Sequence, residues 1–232
     1  MPEKIAIIAA LPREIAGLVK GVQADSKLRA DGIHLFRLSS AVIVAAGMGS
    51  NRVTLAVRAA LAEGGIAELV SVGLAGSCMS DLRPGSVVSV DPVIDARTGE
   101  QFEGSHYQGD YYRLVTTDTI ASVREKVRLG ETYNAALVDM EAATVARLAR
   151  ANQIRFRAIK AISDAHDFEL ASLSRFEGRH GSFRVGAFAL HTALRPWRWK
   201  KTIHLGRNSA RALSALNERL EAVVAAAAQR RD

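Results

Sequence analysis

Three acids are set apart by where they fall: Glu14 and Glu141 each follow an apolar run that reads as a buried strand, and Asp164 closes a strand that mixes basic and apolar residues. Residues 135–138 are apolar, Asp139-Met140-Glu141 closes them, and Ala142, Val145, Leu148 and Ala149 then recur at helical spacing. Glu141 thus sits where a strand's carboxyl end meets a helix N-terminus, a favourable place for a carboxylate. The following strand, 155–164, ends on Ser163-Asp164, and Glu14 lies just beyond a strand at 4–10. Ligands of open α/β sheets bind outside the carboxyl ends of strands. Taken singly, each acid is also what a helix's first turn prefers. Taken together, they suit a cationic transition state, and glycosidic cleavage is the leading example. One acid protonates the leaving group, one activates water and one holds sugar hydroxyls. Crowded like charges push pKa values apart, so one acid can stay protonated near neutrality.

These residues need a scaffold, and the sequence outlines one. Pro12 suits the start of a helix over 12–22. Residues 33–38 and 41–46 read as an antiparallel pair, and Gly47-Met48-Gly49-Ser50-Asn51 leads into a helix over 52–63. That glycine turn can aim backbone N–H groups at an anion or a sugar. It lacks the third glycine of a dinucleotide fingerprint and the Lys-Ser/Thr of a phosphate loop. The strand 69–73 closes on Gly73-Leu74-Ala75-Gly76-Ser77, where two glycines allow close backbone approach. A strand over 86–90, a polar surface excursion over 92–110, a strand over 111–116 and a helix from Asp118 to Arg128 follow. Helices are predicted over 182–194 and 208–228, the last with an apolar stripe of Leu213, Leu216, Leu220 and Val223. The sum is a single α/β domain over 1–232, a mixed central sheet flanked by helices, with Glu141 and Asp164 delivered to one edge of a parallel section.

Composition narrows the function classes. Of 232 residues 48% are hydrophobic and only 5 are proline, which supplies a core and argues against disorder. No apolar run has the length of a membrane span, and the single cysteine, Cys78, excludes an intramolecular disulfide framework; a cytoplasmic location is the default expectation. The six histidines show no metal-binding spacing, so no metal and no cofactor is expected, and Cys78 reads as a small buried thiol. The basic tail 195–232 carries nine Lys or Arg against three acids, +6 of the net +7.

Ala6-Ile-Ile-Ala-Ala-Leu-Pro-Arg-Glu14, Val72-Gly-Leu-Ala-Gly76, Val138-Asp-Met-Glu141 and Ala161-Ile-Ser-Asp164 resemble, in order, the motifs of the purine nucleoside phosphorylase/nucleosidase superfamily. The most similar branch is the 5'-methylthioadenosine/S-adenosylhomocysteine nucleosidases. The resemblance implies a homodimer that cleaves an adenine nucleoside. Asp164 would protonate N7 of adenine and Glu14 would activate water. Glu141 would hold the ribose 2'- and 3'-hydroxyls, and Met140 would pack on the sugar. The Val72–Gly76 turn implies substrate contact at Ala75 and Gly76, and the segment 117–121, with Ile120 and Ala121, matches the one that grips the base.

Two residues depart from that pattern: Ile120 stands where the nucleosidases usually carry phenylalanine, and Lys160, counted among the substrate-binding residues, replaces the usual arginine, keeping charge without the planar fork. The ending resembles that of hopanoid-associated phosphorylases, which implies one alternative to hydrolysis, a phosphorylase, with phosphate as co-substrate, acting on a bulky adenosyl-lipid. The altered base contact at Ile120, with Lys160, gives another, a catalytically silent nucleoside-binding protein. Trp197 and Trp199 among Arg195, Arg198, Lys200 and Lys201 have the composition of a weak membrane-surface anchor over 195–201, and equally of packing anchors in a basic surface. No recognised nucleic-acid fold accompanies the patch, so no nucleic acid is expected as a partner.

Overall fold

The computed structural model describes residues 3–105, 111–169 and 199–229, with side chains from 206 onward in the last stretch. Near-continuous apolar runs form the central strands, as sheets covered on both faces require. The elements are β1 (Lys4–Ala9), α1 (Ser26–Ala30), β2 (His34–Arg37), β3 (Ala41–Ala45), α2 (Ser50–Ala62), β4 (Ile66–Ser77) and β5 (Val87–Asp95). They continue with β6 (Gln101–Phe102), β7 (Tyr111–Thr116), α3 (Val123–Tyr133), β8 (Leu137–Asp139), α4 (Ala142–Ala151), β9 (Arg155–Asp164) and α5 (Trp199–Gln229).

The sheet is mixed, as expected. Its order is β2-β3-β1-β4-β8-β7-β5-β6, and β9 pairs with both β4 and β5. Strands β4, β8, β7, β5 and β9 therefore close on one another, and β1, β3 and β2 extend from β4 as a wing. One apolar cluster includes Val53 and Val57 of α2 with Val145 and Ala149 of α4. A second lies under α5, whose Ala212, Leu216, Leu220 and Val223 are buried against β1, β3, β4 and β9. Among the described residues no helix is long and apolar enough to cross a membrane.

Five expectations are corrected. Strand β8 runs antiparallel to β4 while β9 runs parallel to it, so the two acid-bearing strands do not share one parallel edge. They converge instead on Gly76, which pairs with both Val138 and Asp164. The segment 12–22 is a single 3-10 turn, Pro12–Glu14, followed by turns. Leu18 N–H and Glu14 C=O, which would bond each other in a helix, bond Asn217 of α5 instead, at 2.9 and 3.3 Å. Helix α3 starts at Val123 with Ser122 as its cap, not at Asp118, which leaves 117–121 as a loop. Strand β5 continues through Pro92 to Asp95, with the proline at a break in its pairing with β7. The predicted helix 182–194 and residues 195–198 lie outside the described residues, and α5 begins at Trp199 rather than near 208.

Candidate active site

The carboxyl end of β4 is the floor of the site. Gly73 has φ +139, and a Cβ there would lie 3.1 Å from Glu14 Oε1. A side chain there is strained on both grounds. Glu14, only 4% exposed, turns back over its own loop: Oε2 accepts from Ala10 N (3.0 Å) and Leu11 N (2.9 Å), and Oε1 from Leu74 N (3.3 Å). Burial pushes its pKa up, opposed by those N–H groups and by Lys160.

Glu141 caps α4. Its Oε1 accepts from Gly49 N at 3.1 Å and its Oε2 from Met140 N at 3.3 Å. The glycine turn predicted to present N–H groups to a ligand thus gives one of them to a carboxylate of the protein. Desolvation, with Asp139 beside it, raises the Glu141 pKa to about 7, against the pull of Lys160 and the Gly49 N–H. Asp139 itself is buried and braces the turn. It accepts from Thr116 Oγ1 (2.7 Å) and Ala142 N (3.0 Å), and it pairs with Lys160 Nζ at 2.8 Å. Lys160 also donates to Ser71 Oγ (3.1 Å). Burial pulls the Lys160 pKa down, but Asp139, Glu141 and Glu14 outweigh it and hold the ammonium above the ordinary lysine value.

Asp164 ends β9, 2% exposed. Its Oδ1 meets Ser163 Oγ, and its Oδ2 pairs with Lys126 Nζ, a residue the sequence reading passed over. Burial pushes Asp164 up against the opposing effects of Lys126 and Ser163.

One cavity of 160 Å³ takes in Glu14, Met140, Glu141, Asp164, Ala75, Gly76, Ile120 and Ala121. Lys160 is not on its lining; it lies behind, on Asp139 and Ser71. Met140 also lines two adjoining cavities of 260 and 580 Å³, so the site opens into a wider cleft. Cys78 lies close enough to Lys126 and Asp164 to feel their charges, but burial raises its thiol pKa to about 12, which keeps it protonated. Among the described residues no group of three His, Cys, Asp or Glu is placed to hold a metal ion.

Among the described residues Arg13, Glu14, Lys126, Asp139, Glu141 and Asp164 are the charged ones on that cavity, so acids outnumber bases four to two. The sequence matches the Phosphorylase superfamily over residues 4–119 and 113–183. The chain belongs to that superfamily. It is an enzyme acting on N-glycosyl compounds. No curated protein matches the sequence.

Among solved structures, the apo 5'-methylthioadenosine nucleosidase of Arabidopsis thaliana aligns with a TM-score of 0.74 at 16% identity, over 97% of this chain and 96% of that one. A 5'-methylthioadenosine/S-adenosylhomocysteine nucleosidase of Helicobacter pylori, with butyl-thio-DADMe-Immucillin-A, gives 0.67 at 16%, over 94% and 98%. A futalosine hydrolase mutant of Helicobacter pylori gives 0.61 at 20%, over 75% and 92%. At these identities the likeness is one of fold.

Proposed function

We propose that the protein hydrolyses the N-glycosidic bond of an adenine nucleoside of the 5'-methylthioadenosine/S-adenosylhomocysteine type. The observation that carries this reading is the charge arrangement of the cavity. As the bond to the base breaks, positive charge develops on the ribose, and Glu141 and Glu14 stand on the cavity to meet it. The leaving base gains electrons and takes a proton from Asp164, whose pKa is held up by burial. Glu14 orients water and accepts its proton. Met140 packs on the sugar, Ala75 and Gly76 let the substrate approach β4, and Ile120 and Ala121 line the base. Lys160 acts indirectly, by fixing Asp139 beneath the 140–141 turn. The reaction needs no metal or organic cofactor.

The same arrangement favours water over phosphate. An anionic nucleophile needs donors, but the N–H groups of Ala10, Leu11 and Leu74 are taken by Glu14, and Lys126 is taken by Asp164. Arg13, at the exposed rim, is the cation left on the lining. The adenosyl-lipid reading rests on the tail over 186–216, where 186–198 lie outside the described residues and 199–216 belong to α5, described as helical backbone alone up to 205. A homodimer is part of the proposal and is checked by light scattering.

The test is adenine release from 5'-methylthioadenosine and S-adenosylhomocysteine, with and without phosphate, for wild type and Asp164→Asn. Release without phosphate is expected. Asp164→Asn is expected to lose ~10²-fold or more in rate, the scale of a positioned general acid, while binding holds within about tenfold. A phosphate requirement would make the protein a phosphorylase. No release from either substrate would overturn the substrate assignment and leave the adenosyl-lipid or silent-binder alternatives.

A further inference from the structure

Among the described residues Lys126 is a fully buried cation for which the proposed reaction gives no role. It lies one turn into α3, 1% exposed, on the same inward stripe as Leu129. Its ammonium has three acceptors: Asp164 Oδ2, Ala165 O at 2.8 Å and Phe168 O at 3.3 Å. Three acceptors use all three protons of a charged lysine, and a neutral amine could serve only two. The segment 165–169 is thereby tied to α3, and Glu169 Oε2 adds a bond to Val123 N at 3.2 Å. The fit is close: a Cβ on Gly76 would lie 3.0 Å from Asp164 Oδ2 and 3.1 Å from Lys126 Cε.

Ser163 Oγ lies within hydrogen-bond reach of both Ala75 O (3.2 Å) and Asp164 Oδ1. A hydroxyl has one proton, so Ser163 donates to only one of them at a time, and when it turns to Ala75 O it leaves Asp164 Oδ1 without that donor. Lys126 thus holds one oxygen of Asp164, and the other is the oxygen that can carry the proton. When that proton passes to the base, the N-glycosidic electron pair moves onto the purine and Asp164 is left as a carboxylate. A bare carboxylate at this depth is costly. With Lys126 beside it, the cation and the new anion compensate.

We propose that Lys126 is a positioning residue for acid catalysis, a fixed cation that orients Asp164 and stabilises the carboxylate formed as the leaving base is protonated. The inference rests on Asp164 being the general acid. Its signature is dependence on the leaving group. Release of a purine needs the proton, whereas release of 4-nitrophenolate from 4-nitrophenyl β-D-ribofuranoside does not.

The experiment measures kcat for both substrates in wild type, Lys126→Met, Lys126→Arg and Asp164→Asn. Lys126→Met is expected to raise the ratio of nitrophenyl to purine turnover by about tenfold or more, a part of the ~10²–10⁴ that a positioned acid contributes. It should also move the alkaline limb of the purine profile to higher pH, because Asp164 loses its cation. Lys126→Arg restores the ratio towards wild type. If Lys126→Met does not fold, Lys126→Gln carries the same readout.

An equal fall on both substrates would reduce Lys126 to a structural role and overturn the inference. A ratio that changes in Asp164→Asn but in no Lys126 variant would overturn it and leave the acid assignment standing. An unchanged ratio in Asp164→Asn would overturn the acid assignment itself. A wild type that turns over neither substrate would overturn the proposed function and this inference with it.

Discussion

Replacing Lys160 by methionine tests the bracing of the site directly. Lys160 is 1% exposed, its Nζ is 2.8 Å from Asp139 Oδ2, and Glu14 and Glu141 both feel its charge. Methionine fills most of the same volume but leaves Asp139 buried with only neutral donors, Thr116 Oγ1 and Ala142 N. Removing one partner of a buried pair costs ~3–5 kcal/mol because the other charge is stranded. In a chain of 232 residues each kcal/mol shifts Tm by about 2–4 °C, so Lys160→Met should melt roughly 6–20 °C lower. Lys160→Met with Asp139→Asn should recover part of that loss, since the stranded charge is gone.

The same substitution has a kinetic consequence. Without the cation, Glu14 and Glu141 are harder to ionise, so the acid limb of the adenine-release profile should move to higher pH. Scanning calorimetry of the single and double variants, with pH profiles of release, reads both effects. A loss below about 1 kcal/mol, or a double variant no more stable than the single one, would refute the idea that Lys160 neutralises Asp139.

Three further outcomes follow from the geometry. The folded-state pKa of Glu141, about 7 against an ordinary 4.5, means that the folded form keeps a proton which the unfolded form releases. The stability it contributes is present below about pH 4.5 and lost as pH rises towards 7, so Tm should fall across that window and Glu141→Gln should flatten the fall. Gly73→Ala places a Cβ 3.1 Å from Glu14 Oε1 at φ +139; a strain of ~1–3 kcal/mol is expected in urea unfolding, with tenfold or more lost in turnover. Asn217→Ala strands Leu18 N–H and Glu14 C=O and should cost ~1–3 kcal/mol by the same assay.

The strands were legible because their burial is written in consecutive apolar residues, and β9 was read to its last residue. The acids were legible because each closes or follows one of these strands. What could not be read depended on partners far along the chain. Pro12, Glu14 and the residues after them look helical locally, but Asn217, some 200 positions away, takes the bonds that a helix would use. Helix α1 has five residues and no periodicity; only Asp25, accepting from Lys27 N and Leu28 N, marks it. The start of α3 did carry a local signal, Ser122 three residues before Glu125, which outweighs Asp118 as a cap. With that start, Lys126 and Leu129 fall on one face, and a lysine on an inward face asks for a partner. Without it, Lys126 is one of 31 basic residues.

The cations also explain why so many acids are tolerated in one place. Lys160 answers Asp139 and Lys126 answers Asp164, each within a buried pair, so Glu14 and Glu141 rest on backbone N–H groups without a dedicated cation. Both are held above the ordinary glutamate pKa, which is to say that their charged forms are under-stabilised while the cavity is empty. A neutral nucleoside does little to change that. A ribosyl group acquiring positive charge supplies the missing counter-charge to both at once, so the gain appears in the transition state more than in the bound substrate. A phosphate dianion would do the reverse, adding negative charge beside two carboxylates whose only buried cation among the described residues, Lys160, is shared with Asp139. On the proposed reading, the positions of Lys126 and Lys160, spent on Asp164 and Asp139, therefore bear on the choice of nucleophile alongside Glu14.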